Sequence, residues 1–411
     1  MSTLDRSERS LRGAPQATRS PLLERVAVSV LERALENLEG GTLEVRLPSG
    51  SVRQFGSGQA ESLTIHDDAF FRRIATRGKL GVGESYTAGE WNSDDLVGLL
   101  ELLLRNAATA ADRHAGWRRL LEARPRLNRR NGMLQARRNI AYHYDLGNDL
   151  FRLMLDETMT YSCAVFDHVD EPLADAQRRK YQRICEQLQL TAGDRVLEIG
   201  CGWGGFAHFA ASEYGCSVTG LTISAEQAAL ARERTCGLDV RICEEDYRRH
   251  KGSYTKIASI EMLEAIGEEQ FGTYFKTIDR LLEPGGITCV QTILIPDNRW
   301  ERYRKSPDWI ERYVFPGCLI PSLTALTRAM TSNSRLMVHE VDEIGSHYAE
   351  TLRRWRTSFL TQIDEVRALG YDDRFERTWD FYLAFCEAAF RTRALRDVQL
   401  TLTRPFNEAL A

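Results

Sequence analysis

The stretch RVLEIGCGWGGF (195–206) ends an apolar run in an acid, Glu198, and then places glycines at 200, 202, 204 and 205. A strand that stops in so much backbone freedom brings main chain close to a ligand at the carboxyl end of a sheet, as nucleotide-like cofactors require. The spacing fits Gly-x-Gly-x-x-Gly, but two details count against a dinucleotide. Glu198 lies inside the strand before the glycines, and the next strand ends in GLTISAEQ, with no acid to take a ribose diol. A purely structural strand-to-helix turn is the alternative. The nine cysteines are scattered, odd in number and free of any Cys-x-x-Cys pair, so neither a zinc site nor a disulfide framework is indicated, and reduced thiols in a cytoplasmic protein are expected.

These residues need elements to hold them. DRVLEIG, CSVTGLT, LDVRIC, KIASIEM and GGITCVQTIL have strand patterns, and GGFAHFAASEYG, SAEQAALARERT and EEQFGTYFKTIDRLL have helical ones. Regular alternation over 190–295 predicts an α/β fold with a parallel, doubly wound sheet. Ahead of it, TLEVRLPSGSVRQF predicts a hairpin. Helical patterns at 69–77 and 93–111 flank the glycine-studded GKLGVGESYTAGEW, and a further helical pattern starts at Pro21. The division expected is a disordered 1–20, a small α+β domain over 21–112, an arginine-rich linker over 113–138 and a main domain over 139–411.

Acids outnumber bases by 58 to 54, a net charge of -4, which argues against a nucleic-acid partner. No stretch reaches the roughly 18 uninterrupted apolar residues of a spanning helix. The segment RHAGWRRLLEARPRLNRRNGMLQARR (113–138) is either a solvated linker or, with Trp117, Leu120, Leu121 and Leu127 between its arginines, a surface for anionic headgroups.

Glu-x-Gly-x-Gly resembles the first motif of class I S-adenosylmethionine (SAM) methyltransferases. HYDLGNDLFRLMLDETMTYSCAVF (143–166), LEIGCGWGGFA, GLTISAEQ, IEMLEAIG, YVFPGCLIPS (313–322) and HYAETLRRW (347–355) resemble, in the same order, the cyclopropane fatty acyl phospholipid synthase and mycolic acid cyclopropane synthase family. FFRRIATRGKLGVGESYTAGEW is similar to the N-terminal domain of the phospholipid-acting members. The resemblance implies a class I SAM-methyltransferase (Rossmann-like) domain with an acyl-chain pocket, a smaller lipid-binding domain, SAM and bicarbonate as cofactors, and an unsaturated phospholipid in a bilayer as substrate. It also implies a homodimer, peripheral on the inner face of the membrane.

Carried over residue by residue, the resemblance gives bicarbonate holders Cys163 and Ile293 through backbone groups and Glu264 and Tyr348 through side chains. Glu264 would accept the bicarbonate proton. Tyr161 and Ser162 would face the methionine carboxylate, Gly200 and Gly202 would allow close approach, Thr222 and Gln227 would reach the ribose, and Asp246 and Tyr247 the adenine. From the residues alone, Thr222 can equally end its strand, Tyr247 can be a core aromatic, and Ser224 with Glu226 reads as a helix start. Cys163 has no histidine placed to make it a nucleophile, and Cys201 reads as packing. Two departures stand out: Gln291 and Ala265 occupy positions where the family often carries histidine. An amide still donates and accepts, but it does not ionise near neutrality.

The expected reaction is methyl transfer to a cis double bond, closing a cyclopropane. A lipid C-methyltransferase giving a methylene or methyl-branched chain is the alternative that Gln291 favours, and a non-catalytic SAM- or lipid-binding protein is a third. Trp355, Phe359, Trp379, Phe381, Tyr382, Phe385 and Phe390 either line the acyl channel or pack a core.

Overall fold

A computed structural model describes residues 35–113, 147–306 and 308–410, with positions 29 and 32 besides. The N-terminal 1–20 segment, the helical pattern from Pro21 to 34, and the arginine-rich segment beyond 113 lie outside the described residues, those two positions apart.

Four short strands, β1 (Thr42–Arg46), β2 (Val52–Gly56), β3 (Ala60–Ile65) and β4 (Trp91–Asn92), form a sheet in the order β2-β1-β3-β4. The predicted hairpin is β1 and β2, closed by Leu47 N–H donating to Ser51 O at 2.9 Å. Helices Ala69–Arg77 and Leu96–Arg113 follow the apolar spacing. The glycine-studded separator between them is instead a third helix, Lys79–Thr87, over much of its length. Its glycines are there for contact, not for a turn: a Cβ on Gly83 would lie 2.5 Å from Trp309 Nε1, and one on Gly81 2.6 Å from Arg73 O. Close packing outweighs the low helix propensity. Gly83→Leu should therefore lower the unfolding free energy by at least about 2 kcal/mol, as overpacking does, read as a shifted urea midpoint.

The main sheet has seven strands in the order β10-β11-β9-β8-β5-β6-β7. β5 (Arg195–Ile199), β6 (Ser217–Thr222), β7 (Val240–Glu244), β8 (Tyr254–Ile260) and β9 (Leu282–Leu294) pair in parallel, as their sequence alternation requires. β10 (Met337–Glu343) and β11 (Arg396–Thr403) extend it, and β11 runs antiparallel to both of its neighbours. β5 and β8 are buried over most of their length, polar Glu198, Lys256 and Ser259 included, because helices cover both faces. The chain moves outward through β6 and β7 and then returns to the other side of β5. That reversal makes the carboxyl ends of β5 and β8 the crevice where such sheets bind ligands.

The two sheets are tied by the long helix Asp373–Arg391. Its Arg377 donates to Trp91 O at 2.8 Å, and its Asp380 accepts from Tyr86 Oη at 2.6 Å. Of the aromatic residues at 355–390, Trp355, Phe359, Trp379 and Phe381 are core, and only Tyr382 and Phe390 also face the cavity described next.

Candidate active site

A cavity of about 300 Å³ opens at the ends of β5 and β8. One corner is the glycine turn. Gly200, Gly202 and Gly204 have φ of 87°, 50° and 81°, values that side chains resist. Gly200 N–H and Cys201 N–H both donate to Leu221 O, at 3.0 and 2.8 Å, which locks the turn across to β6. At this corner the cavity is lined by Tyr161, Ser162, Gly200, Gly202, Thr222, Gln227, Asp246 and Tyr247. Thr222 Oγ1 donates to Gln227 Oε1 at 2.8 Å, and Ser224 caps the helix Ala225–Arg234 through Gln227 N–H at 3.3 Å. Asp246 accepts from Arg248 at 2.6 and 2.8 Å. Tyr247 is both a buried aromatic and a wall of the cavity, and its hydroxyl is buried without a protein partner.

Glu198 also lines this corner. Burial raises its carboxyl to about 8, and Oε2 has no partner. An orphaned buried acceptor beside tight glycines fits the ammonium end of SAM, so the residues present suit that cofactor.

The opposite wall turns aliphatic and aromatic: Ile310, Phe315, Leu352, Tyr382, Phe390 and Leu395. Between the two ends sit the acids. Glu264 Oε1 accepts from Ile293 N–H at 2.5 Å and from Thr292 Oγ1 at 2.9 Å, while Oε2 is buried without a partner. Burial, then the charge of nearby Glu261, raises Glu264 to about 7.

Glu261 is the residue that the sequence reading did not single out. It follows β8 directly, with φ 47° and its N–H held by Gln291 O at 2.9 Å. A non-glycine residue in that region costs about 1–3 kcal/mol and persists only where its surroundings hold it. Three groups do so. Cys163 N–H donates to Oε1 at 2.8 Å, Gln291 Nε2 to Oε1 at 2.8 Å, and Tyr348 Oη to Oε2 at 2.5 Å. Tyr348 comes from the helix Gly345–Thr361 and Gln291 from β9.

Behind them lies a second polar layer. Cross-strand register sets Gln399 opposite Gln291 and Asp397 opposite Ile293. Gln399 Nε2 donates to Gln291 Oε1 at 3.1 Å, so the free amide nitrogen of Gln291 points at Glu261 and, at 3.2 Å, Asp397. Burial, then Glu261 and Glu264, drives the Asp397 carboxyl well above its usual range. Lys180, fully buried on the helix Leu173–Gln187, donates to Ser162 Oγ at 2.6 Å, and burial pulls its ammonium down to about 8. Gln177 and Tyr181 on the same face hold Ser162 O and Thr160 Oγ1, so this helix fixes the whole 158–163 loop.

Glu264, Ile293 and Tyr348 therefore line one cavity with the cofactor corner, while Cys163 and Gln291 stand just behind its wall. The expectation of a bicarbonate does not fit these residues. The backbone N–H of Cys163 and the Tyr348 hydroxyl, assigned to the ion, end on Glu261, and that of Ile293 ends on Glu264. A side-chain carboxylate already takes the donors an anion would need. Among the described residues no group of histidine, cysteine and acidic residues is arranged to hold a metal.

A family model described as mycolic acid cyclopropane synthetase matches residues 132–400. The chain is 39% identical over 394 residues to a tuberculostearic acid methyltransferase of Mycobacterium tuberculosis, covering 92% of this chain and 91% of the relative. It is also 39% identical over 355 residues to the cyclopropane-fatty-acyl-phospholipid synthase of Escherichia coli, covering 86% and 91%. The solved mycolic acid cyclopropane synthase CmaA1, complexed with SAH and CTAB, superposes with a TM-score of 0.60 at 29% identity, over 65% of this chain and 97% of that one. The glycine corner, the acid-bearing strand ends and these matches agree: the chain belongs to the mycolic acid cyclopropane synthetase family, on the class I fold, and is a SAM-dependent methyltransferase.

Proposed function

We propose that the protein methylates the cis double bond of an unsaturated phospholipid acyl chain and that the product is a cyclopropane. The observation that carries this is the continuity of one cavity, from the glycine turn at Gly200 past Glu261 and Glu264 to the apolar wall of Ile310, Phe315, Leu352 and Phe390. SAM, held at the corner of Gly200, Gly202 and Glu198, would supply an electrophilic methyl to the alkene, and the cation left on the acyl chain would have to lose one proton. The apolar wall excludes water, which would capture the cation, and the buried acids provide negative charge beside it.

A second reading, an acyl chain bearing a methylene branch, is favoured by the acid set itself. Which proton is nearest the base decides between ring and branch, and here the Glu261 carboxylate has a position fixed by the backbone. Similarity to the tuberculostearic acid methyltransferase is as high as to the cyclopropane synthase.

The test is incubation with SAM and vesicles of unsaturated phospholipid, followed by mass spectrometry and proton NMR of the lipid. Gain of one CH₂ per modified chain supports methyl transfer, and upfield ring protons support the cyclopropane. Olefinic CH₂ signals identify the branch, and no gain at all sinks both. No helix among the described residues is long and apolar enough to cross a membrane. We infer that lipid is met at the bilayer surface, with the unit carrying β1–β4 as the docking side and the arginines of the 113–138 sequence supplying charge toward anionic headgroups. Binding to anionic vesicles that weakens with added salt is the expected sign of that arrangement.

A further inference from the structure

We propose that Glu261 is the base of this reaction: its carboxylate, part of the chain, holds the position a dissociable anion would otherwise take, and the enzyme turns over without one. The inference rests on the methyl-transfer reading above and adds the residue that receives the proton.

Three independent segments aim donors at this one group, namely the 158–163 loop, β9 and the helix Gly345–Thr361. Glu261 lines the cavity beside Met262, Ile293 and Gly200, between the cofactor corner and the apolar wall. Its left-handed backbone turns the carboxylate into that position, and an otherwise disfavoured conformation held by three bonds marks a selected geometry. Gln291 and Tyr348 are positioning residues. Gln399 fixes the Gln291 amide so that it can only donate toward Glu261. A glutamine where relatives often have an ionisable histidine then follows: with the carboxylate built in, the partner need only donate.

The proton balance is complete. One C–H bond of the cation breaks, its electron pair becomes the ring C–C bond or a C=C bond, and the proton joins a Glu261 oxygen. The resulting neutral carboxyl returns the proton to water after product leaves. Neither an oxidant nor a reductant is needed.

The charged and titratable groups facing Glu261 are Lys180, Tyr348, Asp397, Glu264 and Cys163. Glu264 and Asp397 compete with Glu261 for ionisation, because buried like charges cannot all be carried. Burial raises Glu261 as well, but it has the most donors, so it is the member that ionises first, with Glu264 following at about 7.

Three measurements on the full chain, of turnover, of SAM affinity and of bicarbonate binding, test the assignment. In buffer purged of carbon dioxide, wild-type turnover on unsaturated phospholipid vesicles should stay within about twofold when bicarbonate is added, and Glu261→Gln should lose about 100-fold or more, the usual contribution of a general base. Calorimetric SAM affinity of that variant should stay within about threefold. Glu261→Gly suits the positive φ and leaves a carboxylate-sized space, so bicarbonate or acetate should restore part of its rate. Independently of activity, ¹³C-labelled bicarbonate should show saturable NMR line broadening with Glu261→Gly and none with wild type. Wild-type activity that collapses on purging and returns with bicarbonate overturns the proposal. So does saturable bicarbonate binding by wild type, or a Glu261→Gln enzyme that keeps most of its rate. A wild type that makes no product on any unsaturated lipid defeats the methyl-transfer reading instead, and the NMR arm still decides whether Glu261 fills the anion position.

Discussion

Gly200→Val should reduce SAM affinity at least about 100-fold, close to 2.7 kcal/mol of binding free energy. At φ 87° a β-branched residue is a genuine backbone outlier. A Cβ there would also lie 2.7 Å from Met262 Cγ and 2.9 Å from Met262 Cβ. The turn cannot swing away, because its N–H groups are fastened to Leu221 O. Met262 cannot retreat freely either, since it follows Glu261, whose carboxylate is held at three points. Unfolding stability should fall together with affinity. Gly202→Ala supplies the contrast. Its φ of 50° is the milder left-handed region, and a Cβ meets no protein atom within 4 Å. That change should cost about 1 kcal/mol of stability, yet still weaken SAM if the cofactor passes over this main chain. Calorimetry and urea unfolding on both variants separate the two effects. Unaltered SAM affinity in both would remove the glycine turn from the cofactor site.

Much of this was legible in the sequence because local patterns carry it. The strand patterns and glycine burst locate β5 through β9 and hence the switch point, since periodicity and turn chemistry are short-range properties. What was not legible depends on contacts between distant segments. Nothing in GKLGVGES announces that its glycines make room for Trp309, far along the chain, so a helix reads as a break. β11 alternates Asp397, Gln399, Thr401 and Thr403 with Val398, Leu400 and Leu402, yet all seven are buried, because the polar set faces a buried network that only the fold assembles. In IEMLEAIG two glutamates stand three residues apart, and family resemblance selects Glu264. That Glu261 sits at a strand end with positive φ, facing Cys163 and Tyr348, is a tertiary fact. Gln291 was the one trace of it in the sequence, a missing histidine whose reason was the carboxylate across from it. Lys180 left a fainter trace, a cation on the same helix face as Ala176, Ile184 and Tyr181.

Glu264→Gln should lower kcat/KM by about 100-fold while SAM affinity stays within about threefold, because the charge it removes acts on the cation formed during reaction, and not on the bound cofactor. The amide oxygen can still accept from Ile293 N–H and Thr292 Oγ1, so the wall should keep its shape. Only the partnerless Oε2, which becomes an NH₂ group, changes character. Two pH effects follow. Ionised Glu261 helps to hold Glu264 up at about 7, so the wild-type rate profile should carry a limb there that the glutamine variant lacks. The stability effect has its own sign. Glu264 titrates at about 7 in the folded protein against an ordinary 4.5, so between those values the folded state holds the proton more tightly than the unfolded chain does. Wild-type stability from this group is therefore full below about 4.5 and lost as pH rises toward 7. The glutamine variant has no such slope, so its melting temperature relative to wild type should climb over that window. A purely structural Glu264 would show the melting shift with unaltered rates. Equal losses of turnover and SAM affinity would place it with the cofactor, and away from the carbon that loses its proton.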